Sequence, residues 1–355
     1  MQRKIRRHGS GVFGEARPAH PSDTQESELL IVGDITVKIK AITISFLAMA
    51  GFASPMPAYA ATDSCAAGLT TDAAQFESAI QYDDEQSKSN PTVNVMVNGR
   101  IAKMMLDTGA SKNLIWDMSL LDAAPSTPSE RIDSHVASAD GRHVEVALGD
   151  RRGHVQREAF YLVADSVLGA YGYSGILSPQ TVAGQNAVVI DFERNCFFIS
   201  TPFNVASIKG VQVRRGKNIR NPHDVMAIQV NVDGRDIPLI VDSGASRTTI
   251  LASLVARKPK GAESPTRMDA FGAELPKAEA MRLADFNVNG LAFKAHPVIP
   301  TPSTNNRGLA NAGCIGMDVL KDRIIYYHGA RQEFDLLTRH PVAEYIAVEP
   351  ETRAE

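Results

Sequence analysis

The sequence predicts a mostly β protein made of two homologous lobes related by a pseudo-twofold axis, with a cleft between them. Three features carry this reading. Laid on itself at an offset of 135 residues, the chain shows two segments, 95–111 and 230–246, that match without a gap, and each holds one Asp-[Ser/Thr]-Gly-Ala-Ser loop. A hairpin signal precedes each loop, and an apolar-apolar element followed by a closing strand comes after it.

In the first copy Val95-Met96-Val97-Asn98-Gly99-Arg100 leads through five residues to Leu106 and then Asp107-Thr108-Gly109-Ala110-Ser111. In the second, Val230-Asn231-Val232-Asp233-Gly234-Arg235 leads through five residues to Val241 and then Asp242-Ser243-Gly244-Ala245-Ser246. Asn-Gly or Asp-Gly between two apolar runs predicts a two-residue primed turn, because both central residues must take positive φ. One such pentapeptide can arise by chance; two behind the same hairpin cannot. Each copy then reaches a polar, Gly-containing hairpin, around Ala139-Asp140-Gly141 and around Phe271-Gly272. Next comes an apolar pair before a short helical turn, Gly175-Ile176-Leu177-Ser178-Pro179 and Gly313-Cys314-Ile315-Gly316-Met317. The closing strands are Ala187 to Ile190 and Arg323 to Tyr327. The repeat sets the organisation: an N-terminal lobe over 91–200, a linker over 201–223, a C-terminal lobe over 224–338 and a tail over 339–355. Residues 61–90 form an approach segment, read as a short helix and a polar stretch.

The N-terminus reads as an export signal. Val37-Lys38-Ile39-Lys40 is a basic start, Ala41 to Phe52 an apolar run of about 12 residues, well short of the ~20 that span a bilayer, and Ala58-Tyr59-Ala60 a small-x-small cleavage pattern. A signal peptide over 37–60 implies a periplasmic product; the alternative is an uncleaved segment anchoring the chain to the inner membrane, the one way a membrane becomes a partner. Residues 1–36 precede it as a basic and then polar stretch, read as an untranslated or disordered leader with Val37 as the true start. No lipobox precedes Cys65. The G-x-G-x-x-G match at Gly9 to Gly14 lacks a preceding strand and carries no weight.

Composition excludes several classes. Of 355 residues, 44% are apolar and 22% charged, which argues against wholesale disorder and against multiple membrane spans. Thirty-seven basic against 40 acidic residues give a net charge of −3, no field for holding phosphates, so no nucleic-acid partner is expected. Cys65, Cys196 and Cys314 lack C-x-x-C spacing and leave room for one disulfide and a spare thiol; Cys196 and Cys314, in apolar strands, read as small buried hydrophobes. His135, His143 and His154 fit no metal template, and neither a metal nor another cofactor is expected. Trp116 reads as lobe core rather than a substrate platform.

The two aspartates carry the chemistry. Like carboxylates brought together across a twofold axis share one proton. The charged member can then draw a proton from a water while the protonated member donates to a carbonyl oxygen, without a covalent intermediate. Gly109 and Gly244 allow close backbone approach, and the hydroxyls of Thr108 and Ser243 can hydrogen-bond across to the opposite loop.

The paired loops, each with a later apolar-apolar-Gly element, resemble the pepsin/retropepsin clan of aspartic peptidases. Ala110 and Ala245, the short lobes and the near-perfect duplication are most similar to bacterial exported retropepsin-like enzymes with both lobes in one chain. The resemblance implies two β-barrel lobes, a catalytic pair Asp107 and Asp242, and support from Thr108, Gly109, Ser243 and Gly244. It also implies flaps at Ala139, Asp140, Gly141 and at Phe271, Gly272. Ser178 stands where the second element has Gly, at an expected cost to packing alone, and no flap tyrosine is evident. Ala at 110 and 245 cannot donate to the carboxylates as the hydroxyl of pepsins does, so activity nearer neutral pH is expected. The expected function is an aspartic endopeptidase acting, as a monomer, on an extended or disordered polypeptide segment; the alternative is a catalytically silent peptide-binding module of the same fold.

Overall fold

The computed structural model describes residues 64–70, 73–133, 137–164, 167–221, 224–302, 312–339 and 345–346. The leader, the signal segment and most of the tail lie outside them.

The approach segment is a strand. Phe76–Gln81 forms β1, which pairs antiparallel with β10 (Cys196–Ser200) through Phe76↔Ile199 and with β2 (Thr92–Val97) through Ile80↔Val93. Phe76 and Ile80, four apart, look helical in sequence. Two open strand edges decide otherwise, because only an extended backbone satisfies the donors and acceptors of both.

In the N-terminal lobe, β2 turns into β3 (Arg100–Leu106) and leads to β4 (Asn113–Ile115). There follow β5 (Ser129–Asp133), β6 (Ser138–Gly149), β7 (Val155–Val163), β8 (Gly175–Leu177), helix α1 (Pro179–Ala183) and β9 (Ala187–Asp191). The segment read as a linker contains β11 (Gln212–Lys217). The C-terminal lobe repeats the order with β12 (Ala227–Val232), β13 (Arg235–Val241), β14 (Thr249–Leu251), α2 (Ala252–Val255), β15 (Lys260–Glu263), β16 (Ala280–Val288) and β17 (Leu291–Thr301). It ends with β18 (Gly313–Ile315), α3 (Met317–Leu320), β19 (Ile324–His328), β20 (Glu333–Thr338) and β21 (Tyr345–Ile346).

The duplication is visible residue by residue. Asn98 and Gly99 have φ of 50° and 78°, Asp233 and Gly234 of 51° and 79°, so both hairpins close on the primed turns their sequences require. β2 and β12 bury the same positions, as do β3 and β13. In each lobe the apolar-apolar strand lies parallel to the strand before the Asp: β8 beside β3 with Leu106↔Leu177, β18 beside β13 with Val241↔Ile315. Insertion of a strand with neighbours on both sides fixes where the chain after Leu106 and Val241 must emerge.

The lobes share a sheet. β9 pairs antiparallel with β19 through Ile190↔Ile325, and the order β11-β20-β19-β9-β10-β1 draws strands from both halves of the chain. The two closing strands of the repeat are thus each other's partners across the pseudo-twofold axis. One buried core cluster runs beneath both lobes, from Phe76, Leu106 and Phe160 to Val241, Phe293 and Ile325. Cys65 and Cys196 form a disulfide that ties the approach segment to β10, so Cys196 is a bridge rather than the small buried hydrophobe its context suggests. Cys314 is free and buried. Arg339, at the head of the tail, forks onto buried Asp191 and reaches Glu193 at 3.0 Å, fastening the end of the C-terminal lobe to the N-terminal one. Trp116 is core, with its indole N–H donating to Tyr173 O.

Candidate active site

Asp107 and Asp242 emerge from the C-terminal ends of β3 and β13 and meet at the floor of the cleft between the lobes. Each backbone N–H is held by the inserted strand, Asp107 N–H donating to Leu177 O at 3.0 Å and Asp242 N–H to Ile315 O at 2.9 Å. The two carboxyl groups lie side by side: a Cβ at Gly109 would be 2.9 Å from Asp242 Oδ1 and 3.2 Å from Asp107 Oδ1. Asp107 also accepts from the Gly109 N–H at 2.8 Å, and Asp242 from the Ala245 N–H at 3.1 Å.

Both glycines are required by proximity rather than by unusual φ. A Cβ at Gly109 would lie 2.8 Å from the Asp242 carboxyl carbon, and one at Gly244 would lie 2.9 Å from that of Asp107. Any side chain there would wedge the two acids apart.

Thr108 and Ser243, both fully buried, lock the loops together. The Thr108 hydroxyl donates to Val241 O and accepts from the Ser243 N–H at 2.9 Å; the Ser243 hydroxyl donates to Leu106 O and accepts from the Thr108 N–H at 3.1 Å. Four bonds of alternating direction fix the separation of the aspartates.

The loops are also braced from behind, and here the lobes differ. In the C-terminal lobe the brace is backbone: the Met317 N–H donates to Ala245 O at 2.8 Å, and a Cβ at Gly316 would sit 2.8 Å from that same oxygen. In the N-terminal lobe Ser178 and Gln180 do this with side chains, both donating to Ala110 O, at 2.8 Å and 2.6 Å. Ser178 thus adds a side-chain brace where the other lobe has Gly316. Asn113 adds to it by accepting from the Ser178 N–H at 2.8 Å, a role the sequence reading did not give it.

Burial raises both carboxyls above the ordinary carboxylate range, and the charge of Asp242 raises Asp107 further. Donation from backbone N–H groups opposes the rise on both, and on Asp242 so does the thiol of Cys314. One proton shared between two such groups is the state their mutual repulsion favours.

The expected flaps need correction. Ala139, Asp140 and Gly141 are not a turn; they lie along β6, paired with Ile132, Arg131 and Glu130 of β5. The hairpin is longer than its Gly suggested, and its tip, 134–136, lies outside the described residues, as does His135. Gly141 serves the stem: a Cβ there would meet Ile132 Cδ1 at 2.3 Å. Lys112, one residue beyond the first loop, pairs with Glu130 of this stem at 2.6 Å. Phe271 and Gly272 do form a tight turn, closed on the Asp269 carboxylate, which accepts from the Phe271 and Ala273 N–H groups. That turn reaches the N-terminal lobe. Phe271 packs on the cluster of Trp116, Ile132 and Leu168 that also takes in Ala110 and Ala139. Among the described residues no cluster of His, Cys, Asp and Glu could hold a metal ion.

Two β lobes that meet through paired Asp-[Ser/Thr]-Gly loops define the bilobal aspartic-peptidase fold. Residues 228–319 match the model of the family described as aspartyl protease. The crystal structure of aspartic proteinase from Irpex lacteus superposes with a TM-score of 0.51 over 74% of this chain and 96% of that one, at 13% identity. No curated protein matches the chain in sequence. The fold is thus that of the pepsin/retropepsin clan, and the C-terminal lobe carries the aspartyl protease family's sequence pattern.

Proposed function

We propose that the protein is an aspartic endopeptidase that hydrolyses peptide bonds of an extended polypeptide segment through a water activated by Asp107 and Asp242. The observation that carries this reading is the pair itself: two carboxyls set side by side and held by the Thr108–Ser243 lock, with no cation donating to them among the described residues.

The chemistry follows from the geometry. The ionised carboxylate takes a proton from a water lying between the two acids, and the resulting hydroxide adds to the scissile carbonyl carbon. The protonated carboxyl gives its proton to the carbonyl oxygen, so a neutral gem-diol forms and the pair is left with one proton. Transfer of that proton to the amide nitrogen breaks the C–N bond, while a gem-diol hydroxyl returns its proton to the other carboxylate; the amine and the carboxylic acid leave and the one-proton starting state is restored. The apolar patch of Ala110, Ala139, Tyr161 and Phe271, beside Asp107, suits an apolar substrate side chain. The β5–β6 hairpin is the element that closes over a bound peptide, pairing with its backbone as an added strand.

The Cys65–Cys196 disulfide supports export to an oxidising compartment, in keeping with the signal pattern at 37–60. The test is a mixed peptide library at pH 4 to 8, with Asp107→Asn and Asp242→Asn beside the parent. Cleavage that falls about 10³-fold or more in both variants supports the pair as the catalyst. Folded parent protein that binds peptides and cuts none at any pH supports the silent module instead.

A further inference from the structure

The loop after each aspartate must be tied to the strand beside it, and the two lobes do this differently. In the N-terminal lobe one residue suffices. Asn113 of β4 accepts the Ser178 N–H at 2.8 Å with its side-chain oxygen and donates its amide to Ala159 O of β7 at 3.2 Å. The offset of 135 places Thr248, just before β14, at the equivalent position. Its hydroxyl accepts the Gly316 N–H at 3.2 Å, as Asn113 accepts that of Ser178, but the shorter side chain carries no amide to reach β17.

Two further residues span the gap. The Thr248 hydroxyl and N–H both donate to Asp318 Oδ1, at 2.8 Å and 2.9 Å, and Asp318 Oδ2 lies 2.9 Å from Nε2 of His296 on β17. The Asp318 carboxylate is an acceptor on both sides, so the hydrogen between it and His296 belongs to the imidazole. Both side chains are sealed, at 4% exposure for His296 and 6% for Asp318. The ring stands edge-on to Phe286 and Phe293, with centroids 5.4 Å and 5.6 Å away, and this packing fixes its plane. Parallel pairing of Leu114 with Tyr161 and of Thr249 with Ile299 makes Glu158 the register counterpart of His296, three residues before each partner. Glu158 accepts from Gln156 at 2.8 Å instead, so the role is peculiar to His296.

What this bridge holds is the Asp242 loop. Gly316 is bonded to Thr248, the next residue Met317 donates its N–H to Ala245 O, and the Ala245 N–H donates to the Asp242 carboxylate at 3.1 Å. A continuous path of hydrogen bonds and adjoining residues thus runs from the imidazole to the carboxyl. We propose that His296 is a positioning residue for Asp242, fixing the returning end of its loop to β17 through Asp318 and Thr248. The consequence for cleavage rests on the peptidase reading; the placement of Asp242 does not.

In the full chain, three substitutions separate reach from polarity. His296→Gln puts an amide nitrogen where Nε2 stands and can donate to Asp318; His296→Asn puts one where Nδ1 stands, short of it; His296→Leu removes the donor. Measured well below each variant's Tm, kcat should fall roughly tenfold in the Asn and Leu variants with KM within about twofold of the parent, and the Gln variant should recover to within about threefold. A contribution to stability alone would lower Tm and leave kcat of the folded chain unmoved. Parent kcat in both the Asn and Leu variants, or a Gln variant no better than Leu, overturns the assignment. NMR of the chain labelled at the aspartate carboxyl carbon, with signals identified through D107N and D242N, needs no substrate. The Asp242 signal should move in the Asn and Leu variants, by more than that of Asp107, and return toward the parent position in the Gln variant. A chain that shows this pattern but cleaves nothing keeps the assignment and loses the hydrolytic reading; cleavage with an unmoved Asp242 signal does the reverse.

Discussion

Thr108 and Ser243 each donate to the carbonyl that precedes the other's aspartate, Thr108 Oγ1 to Val241 O at 2.7 Å and Ser243 Oγ to Leu106 O at 2.6 Å. Each hydroxyl also receives the other's backbone N–H, so no buried polar atom of the crossing is left over. Thr108→Val keeps the shape and strands two groups, the Ser243 N–H and the Val241 C=O. A loss of about 2–4 kcal/mol is expected, because an orphaned buried group costs more than a net hydrogen bond yields. Thermal unfolding should show a Tm lower by roughly 5–15 °C. Ser111→Ala, exposed on the same loop, should change stability by less than about 0.5 kcal/mol.

The pH dependence of stability has a definite sign. Asp107 has a folded-state pKa raised above its unfolded value, by burial first and by Asp242 second. Such a group contributes its full stability below the unfolded value near 4 and loses it as pH rises through the folded value, since the buried site disfavours the anion. Asp107→Asn cannot ionise. It should therefore unfold at a higher temperature than the parent at pH 8, by roughly 3–8 °C, with the gap closing by pH 4. Equal Tm differences at both pH values would show that the carboxyl is not raised in the folded state.

Much of this site was legible in sequence because a duplication exposes what both copies need. The aspartates, their glycines, the primed turns at Asn98-Gly99 and Asp233-Gly234, and the paired closing strands all repeat, and each answers a backbone or proximity requirement. What did not repeat was harder to see. Ser178 and Gln180 replace a backbone brace with side chains, and Thr249 and Cys314 replace an apolar pair, so neither stands out in a motif. β1 was hidden because its strand state is imposed by β10 and β2, far off in sequence, against a local spacing that suits a helix. The Cys65–Cys196 bridge spans 131 residues and joins a segment outside the repeat to one within it, so no spacing rule reaches it.

That bridge closes a long loop, and a crosslink of this span restricts the unfolded chain more than the folded one. Its removal in Cys65→Ser with Cys196→Ser should cost about 2–5 kcal/mol. Heating with and without a reductant reads this directly, with the reduced protein unfolding roughly 5–15 °C lower. The approach segment has other anchors, because Glu77 accepts from Ser64, the Cys65 N–H and Arg152. The reduced protein should accordingly stay folded at 25 °C; a chain that unfolds on reduction would assign β1's attachment to the disulfide alone.

The turn at Phe271 and Gly272 gives the most specific steric prediction. Gly272 has φ of 77°, and a Cβ there would lie 1.7 Å from Val167 Cγ1 of the other lobe, far inside contact distance. Gly272→Ala therefore meets two obstacles, a left-handed backbone costing about 1 kcal/mol and a clash that must displace Val167 or the whole turn. Lower stability by about 2–3 kcal/mol is expected, with Phe271 lifted from the apolar patch beside Ala110 and the KM for substrates with an apolar side chain there raised several-fold. Val167→Ala removes the obstructing methyl groups. In the double variant the steric part should be recovered and the backbone part should persist, leaving a coupling of about 1–2 kcal/mol in a double-mutant cycle. A cycle that sums to zero would mean that the turn does not rest on Val167, and that the C-terminal hairpin closes the cleft by some other contact.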